Sequence, residues 1–173
     1  MITSSSDLPK QHRDSPWWLF LLVATTIITP LHFLAYTAYY TEGEVMQALF
    51  RFLAWAILGL SCVLAFYRRT VAVALIAIAG GLLLFWQASE VRKWAMVHED
   101  MIAFVRYADE THAERGVYPD AVESYQFNHP QTRAHIHSYD IGTNGEYRLS
   151  YFMDHSGITY WYSSDTGFGY YAD

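Results

Sequence analysis

Three long stretches without a charged residue, Trp17 to Thr41, Phe52 to Tyr67 and Thr70 to Ser89, fill the first half of this 173-residue chain. A helix needs about 20 apolar residues to cross a bilayer core of about 30 Å. Backbone groups find no water there, so a spanning segment of this composition has to be helical. The pattern predicts three transmembrane helices, at about 17–40, 45–67 and 70–91, behind a disordered arm over residues 1–16. Lys10 and Arg13 ahead of the first run invite comparison with a cleaved signal. The run is longer than such a signal and lacks a small-residue cleavage site, which favours a retained helix.

Charge orients the three helices. Lys10 and Arg13 precede the first and Arg68 and Arg69 separate the second from the third, whereas Glu42 and Glu44 follow the first. The positive-inside rule places the N-terminus and Arg68/Arg69 in the cytoplasm and everything past the third helix on the other side. Arg92 and Lys93 weigh slightly against this. The second helix is expected to begin near Val45, with Arg51 snorkelling to the outer headgroups or pairing with Glu42 or Glu44. Ala54, Ala56 and Gly59 in the second helix and Ala77, Gly80 and Gly81 in the third would let backbones approach closely. His32, two residues after Pro30, lies well inside an apolar run. It reads either as a functional group or as a neutral imidazole bonded to a carbonyl freed by the proline. Trp17, Trp18, Tyr39, Tyr40, Trp86 and Trp94 fall near run ends, where amphipathic rings serve as interfacial anchors.

Residues 92–173 read as one small outer domain. Met101, Phe104, Val105, Ala108 and His112 continue a helical stripe, and Gly116 followed by Pro119 predicts a stop near Arg115. The third helix would then run from Thr70 to Arg115, about 69 Å at 1.5 Å per residue. Glu99, Asp100, Asp109, Glu110 and Glu114 are expected on its solvated face. Asp120 with Glu123 predicts a short helix through Tyr125. Four strands joined by tight turns should follow, over Ile136–Ile141, Glu146–Met153, Ile158–Ser163 and Phe168–Tyr171, with turns at Asn144-Gly145, Asp154–Gly157 and Asp165–Gly167. Tyr147, Leu149, Tyr151 and Met153 alternate with polar neighbours, the signature of a sheet with one buried face. Phe152 interrupts that alternation. The predicted fold class is therefore a three-helix transmembrane region carrying a small α+β domain, a long helix packed on an antiparallel β-meander.

Residues 98–173 contain fifteen aromatic residues, ten of them tyrosine, beside the single leucine Leu149. A small domain needs large rings to bury enough area, so most should be core. The surplus, drawn from Phe152, Trp161, Phe168, Tyr170 and Tyr171, is expected to form a surface for a protein partner, and the edge near Phe168–Tyr171 to accept a strand. The same stretch holds four Lys/Arg against twelve Asp/Glu, a net −8, which disfavours nucleic acid. Cys62, the single cysteine, forbids an intrachain disulfide.

The run Arg106 to Asp120, closing in Gly116-Val117-Tyr118-Pro119-Asp120, resembles the junction of type IV pilins and type II secretion pseudopilins. In that family a long helix, half membrane and half domain, ends before a Gly-x-Tyr-Pro turn and an antiparallel sheet. The resemblance covers about residues 70–173 and implies a pilin-like domain on the periplasmic side of a bacterial inner membrane. This chain departs from the family at Arg68-Arg69-Thr70-Val71-Ala72, which offers neither the peptidase site nor the glutamate that follows it, and two helices precede. A fixed membrane protein is implied, not a processed filament subunit.

Chemical motifs are few. His135 and His137, two apart, would project from one face of a strand and could hold Zn²⁺ or Cu²⁺ given further ligands, with His129 and His155 elsewhere in the domain. Asp154-His155-Ser156 has triad residue types, but adjacent residues in a turn cannot build triad geometry. No phosphate-binding glycine loop or paired-cysteine motif occurs. No cofactor and no enzymatic activity are expected. The expected role is binding of a protein partner, in a secretion or pilus-like assembly. Two other readings stand beside it: a membrane-anchored immunity protein facing a basic, envelope-acting toxin, and a metal-binding or enzymatic domain centred on His135 and His137.

Overall fold

A computed structural model of the chain describes residues 14–143, 145–153 and 158–172. Among them, α1 (Trp17–Glu42), α2 (Glu44–Tyr67) and α3 (Arg69–Arg115) are long and apolar enough to cross a membrane. A single residue, Gly43, separates α1 from α2, and Arg68 alone separates α2 from α3. Turns this short force antiparallel neighbours. The start of α1 lies beside the start of α3: the Ser15 amide donates to Thr70 Oγ1 at 3.2 Å, and the Arg69 guanidinium sits 5.1 Å from the Trp17 ring centre. Pro30 is accommodated inside α1 without ending it.

Helix α3 has 47 residues and a length of about 70 Å. The residues it buries recur at helical spacing along one side: Ala72, Ile76, Gly80, Leu83 and Gln87, then Val97, Met101, Phe104 and Ala108. The lower part of that stripe packs on α1 and α2, and the upper part on the sheet. A π-turn over Ile76–Gly80 lies within it. There α1 comes close, since a Cβ on Gly80 would overlap Ile27 Cγ2. A Cβ on Gly59 or Gly81 would meet nothing within 4 Å. Of the three glycines expected to mediate close approach, Gly80 alone serves that purpose, and toward α1 instead of α2. The helix ends where Gly116 adopts φ 72°, its amide donating to the His112 carbonyl at 2.8 Å. That left-handed conformation is one a side chain would oppose.

The four strands β1 (Ile136–Ile141), β2 (Tyr147–Phe152), β3 (Ile158–Ser163) and β4 (Gly167–Ala172) form an antiparallel sheet in order β1-β2-β3-β4. Leu149, Tyr151, Ile158 and Tyr160 are buried against Met101, Phe104 and Val105 of α3, with Val122 and Phe127 closing the core, and Tyr147 is buried with its hydroxyl on the Val105 carbonyl and Asp109. Phe152 keeps the alternation after all: Tyr151 and Met153 are buried on either side of it, and it belongs to the opposite face.

Three expectations for the connection between helix and sheet need correction. The segment after Asp120 forms only a 3₁₀ turn, Val122–Ser124, without a side-chain cap, and Ser124 Oγ bonds back to the Ala121 carbonyl at 2.7 Å. A second 3₁₀ helix, Pro130–His135, occupies a stretch where the sequence pattern predicts no element. Asp100 is fully buried, not on the solvated face. Its Oδ2 accepts from the His129 amide at 3.0 Å and Thr132 Oγ1 at 2.8 Å, satisfying donors at the start of that 3₁₀ helix, with His129 Nδ1 3.2 Å away. Asn144 and Asp154–Gly157, in two of the predicted turns, lie outside the described residues.

Opposite signs are expected for two glycine substitutions in α3. Gly80→Ala drives a methyl group into the χ1-restricted Ile27 and should destabilise the helix packing by about 1–3 kcal/mol. Gly81→Ala meets open space and should be neutral or stabilising by up to about 1 kcal/mol. Thermal unfolding of the two variants in the same detergent, compared with the parent, decides it; equal shifts would remove the close-packing role of Gly80.

Candidate functional site

Strand register divides the five predicted binding residues between two surfaces. Tyr170 pairs with Tyr160 and Phe168 with Tyr162, which puts Phe168 and Tyr170 on the face that turns toward α3. Trp161 pairs with Gly169 and Thr159 with both Phe152 and Tyr171, which puts Phe152, Trp161 and Tyr171 on the opposite face. The single aromatic patch expected from the sequence therefore gives way to two sites. On the opposite face the Trp161 indole lies across Gly169, so close that a Cβ there would overlap the ring. Tyr171 stacks on it at 5.8 Å, and the Arg148 guanidinium stands 5.6 Å from its ring centre. Trp161 is thus a half-buried platform, and Tyr171, 51% exposed, is the ring it presents. Asp140, Glu146, Arg148 and Asp165 surround Trp161 and Tyr171 in a polar hollow.

The α3-facing rings close a different space. An apolar cleft of about 400 Å³ lies between the last turns of α1, the middle of α3 and the β3–β4 hairpin. Thr37 and Tyr40 form its α1 wall, Val91, Trp94 and His98 its α3 wall, and Tyr160, Phe168 and Tyr170 its sheet wall. Trp94 and His98, four residues apart on one helical face, stack at 5.0 Å with planes 13° apart. Phe168 approaches the His98 ring at 5.5 Å, and Tyr170 meets Tyr40 edge-on at 6.0 Å. The Tyr160 hydroxyl donates to the Tyr40 carbonyl, one of the C-terminal carbonyls that a helix leaves without an internal partner. Through that bond the sheet is seated on the end of α1. Trp94 Nε1 is buried without a hydrogen bond of normal geometry, although it lies close enough to Tyr160 to favour its ionised form slightly.

Burial sets the electrostatics of this region. His98, beyond the apolar part of α3, has its pKa lowered by desolvation, so the neutral imidazole is favoured, and its Nδ1 lies 2.8 Å from the Tyr151 hydroxyl. Burial pushes Tyr139 and Tyr160 up to about 12, and raises Tyr147 and Tyr151 as well. For Tyr147 the nearby Asp109 adds to burial, its Oδ1 3.2 Å from the hydroxyl that donates to it.

The histidines of the metal expectation do not share a strand. His135 closes the 3₁₀ helix, its Nδ1 3.1 Å from the Phe152 carbonyl, while His137 sits in β1 at an irregularity of register, its ring 6.1 Å from Phe152. His129 is turned to Asp100, and His155 lies outside the described residues. Among the described residues no three His, Cys, Asp or Glu side chains gather as a metal site would require. His32 is exposed on α1, its ring edge-on to Phe33 at 6.3 Å. Arg51 is exposed, and among the described residues it forms no ion pair with Glu42 or Glu44.

Sequence reasoning missed the cleft. Trp94 and Tyr40 read as interfacial anchors, and nothing in the local pattern singles out His98. The spacing of Trp94 and His98 is visible in the sequence, but the approach of β4 to α1 joins Tyr40 to Tyr170, a separation that no local pattern encodes. Comparisons with protein-family models, with curated proteins and with solved structures found no match.

The shifted tyrosines and His98 bound the stability of the domain on both sides. Above pH 10.0, where unfolded tyrosine ionises, the unfolded chain releases protons that the folded chain retains, so stability falls as pH rises until the folded tyrosines themselves ionise near 12. Burial of the neutral phenol thus promotes alkaline unfolding, and the stability it contributes in full below pH 10.0 is lost across that window. Below 6.5 the unfolded His98 takes up a proton that the folded one resists, so stability falls as pH drops toward its lowered value. Thermal unfolding across pH should show the acid decline, and a His98→Phe variant should flatten part of that limb while leaving the behaviour above pH 10 unchanged.

Proposed function

We propose that this chain is a three-pass membrane protein whose outer domain binds an extended segment of a protein partner along β4. The observation that carries the reading is the edge itself. Gly167–Ala172 is an outermost strand, contains no charge and no proline, and pairs with β3 without a bulge. Exposed edges are normally blunted by such features, because unpaired backbone groups recruit further strands. Phe168, Tyr170 and Tyr171 are each more than 40% exposed beside it and would give a bound strand side-chain pockets on both faces.

The apolar helices and the basic residues support this placement in the membrane. Arg68 and Arg69 lie at the same end as the start of α1, which supports a cytoplasmic N-terminus and an extracytoplasmic domain, the periplasm if the setting is a bacterial inner membrane. A secretion or pilus-like assembly is the context the pilin-like arrangement favours. The hollow around Trp161 and Tyr171 favours a second reading: with Asp140, Glu146 and Asp165 on its rim and a net −8 over residues 98–173, it suits a basic partner such as an envelope-acting toxin held by an immunity protein.

A photoreactive residue in place of Tyr171 in the full-length, detergent-solubilised chain should crosslink an extended peptide of one partner, and Tyr171→Lys should reduce recovery of that partner by about tenfold, the equivalent of 1.4 kcal/mol. Steep weakening with added salt would mark a basic toxin-like partner, and weak salt dependence an assembly component. Recovery unaffected by Tyr171→Lys would dismiss the edge as the binding element.

A further inference from the structure

We propose that the cleft between the end of α1 and the β3–β4 hairpin takes up a single hydrocarbon chain, the acyl tail of a membrane phospholipid entering from the outer leaflet. The proposal rests on the membrane placement above and not on partner binding at the β4 edge, although Phe168 and Tyr170 belong to both surfaces.

The polar groups in the walls identify the occupant by what they are already doing. Thr37 Oγ1 donates to the Leu34 carbonyl at 2.7 Å, and Thr41 Oγ1 donates to the Thr37 carbonyl at 3.3 Å while accepting from Gln87 Nε2. The Tyr160 hydroxyl is spent on the Tyr40 carbonyl, and the Tyr151 hydroxyl on His98 Nδ1. Trp94 Nε1, buried close to Tyr160, is the exception without a hydrogen bond of normal geometry; what the other groups show to the cleft is carbon. A sugar, a phosphate or the backbone of a peptide would lose its hydrogen bonds to water on entry and recover few of them. Each buried polar group left unpaired is penalised. A hydrocarbon chain loses none and gains the apolar contact. The volume of about 400 Å³ lies within the range of small-molecule sites, roughly 300–1,000 Å³.

Position selects the source. The cleft is walled by Thr37, Tyr40 and Thr41 at the end of the first uncharged run and by Val91 and Trp94 just past the end of the third. Both runs end at the level where acyl chains give way to headgroups, and aromatic side chains concentrate there. Tyr40 and Tyr170, partly exposed and in ring contact, remain for the headgroup end of the lipid. Neutral His98 forms part of the interior wall, consistent with an uncharged occupant.

The test uses the full chain in nanodiscs of phosphatidylcholine doped with a diazirine-bearing acyl analogue of the same lipid. After irradiation, mass spectrometry should find adducts on the peptide spanning Val91–His98 or on Phe168–Tyr170, together with adducts on the outward faces of the apolar helices at Leu21, Leu22 and Phe33. Val91→Trp, which fills the cleft, should lower the cleft adducts by about tenfold and leave the helix-face adducts unchanged, the equivalent of 1.4 kcal/mol in occupancy. Retained thermal unfolding of the variant shows that it folds; if it does not fold, Thr37→Leu at the opposite wall, combined with competition by unlabelled phosphatidylcholine, provides the same reading. Helix-face adducts without cleft adducts would overturn the proposal while leaving the membrane reading standing, and no adducts anywhere would overturn both. Cleft labelling displaced by an apolar peptide but not by unlabelled lipid would assign the cleft to a protein segment and also overturn it.

Discussion

Everything in this chain hangs on the continuity of α3. One helix supplies both the third apolar segment and the surface on which the sheet folds, and its buried residues keep to one side from Ala72 to Ala108. A rigid rod leaves the outer domain no independent orientation. Whatever face of α3 points at α1 low in the molecule dictates, at about 3.6 residues per turn, which face meets the sheet above. The sheet therefore sits over the end of α1, and the tyrosines of β3 and β4 reach it.

The composition of the domain has a physical logic of its own. With Leu149 as its single leucine, the core relies on rings, and tyrosine rings bring hydroxyls into the interior. Buried hydroxyls need partners. Several find them outside the sheet: Tyr147 on Val105 and Asp109, Tyr151 on His98, Tyr160 on Tyr40. Each of these bonds joins the sheet to a helix at a fixed point. Leucines would bury comparable area without fixing the position of the sheet, so the tyrosine-rich core supplies registry between the two halves of the molecule as well as buried area.

Much of the fold was legible because its signals are local. The uncharged runs mark the three helices, Gly116 marks the end of α3, and the bounds of β1 and β3 match the sequence pattern to the residue. Errors arose where a long-range partner overrode a local pattern. Asp100 looks like surface on a helical wheel, and only the 3₁₀ helix folded against it, carrying Thr132 and the His129 amide, makes its burial tolerable. His135 looked like a strand residue, but Pro130 starts a 3₁₀ helix that consumes it. Some of the five aromatics Phe152, Trp161, Phe168, Tyr170 and Tyr171 were expected at the surface, but their division into two faces awaited the register of β3 with β2 and β4.

The seat of the domain on α1 links the two surfaces that β4 presents. Phe168 and Tyr170 line the cleft from the same strand whose free edge and Tyr171 face outward. Successive residues of a strand point to opposite faces, so β4 cannot shift toward α1 on one side without carrying Tyr171 and the edge with it on the other. Trp161, wedged over Gly169 and stacked on Tyr171, stiffens the strand at the midpoint of that link. An occupant that spreads Tyr40 from Tyr170 therefore displaces the edge available to a partner, and one that fills the cleft without spreading it holds the edge in place. The bond from Tyr160 to the Tyr40 carbonyl favours the second case, because it fixes the β3 side of the cleft to the same residue whose ring forms the opposite lip.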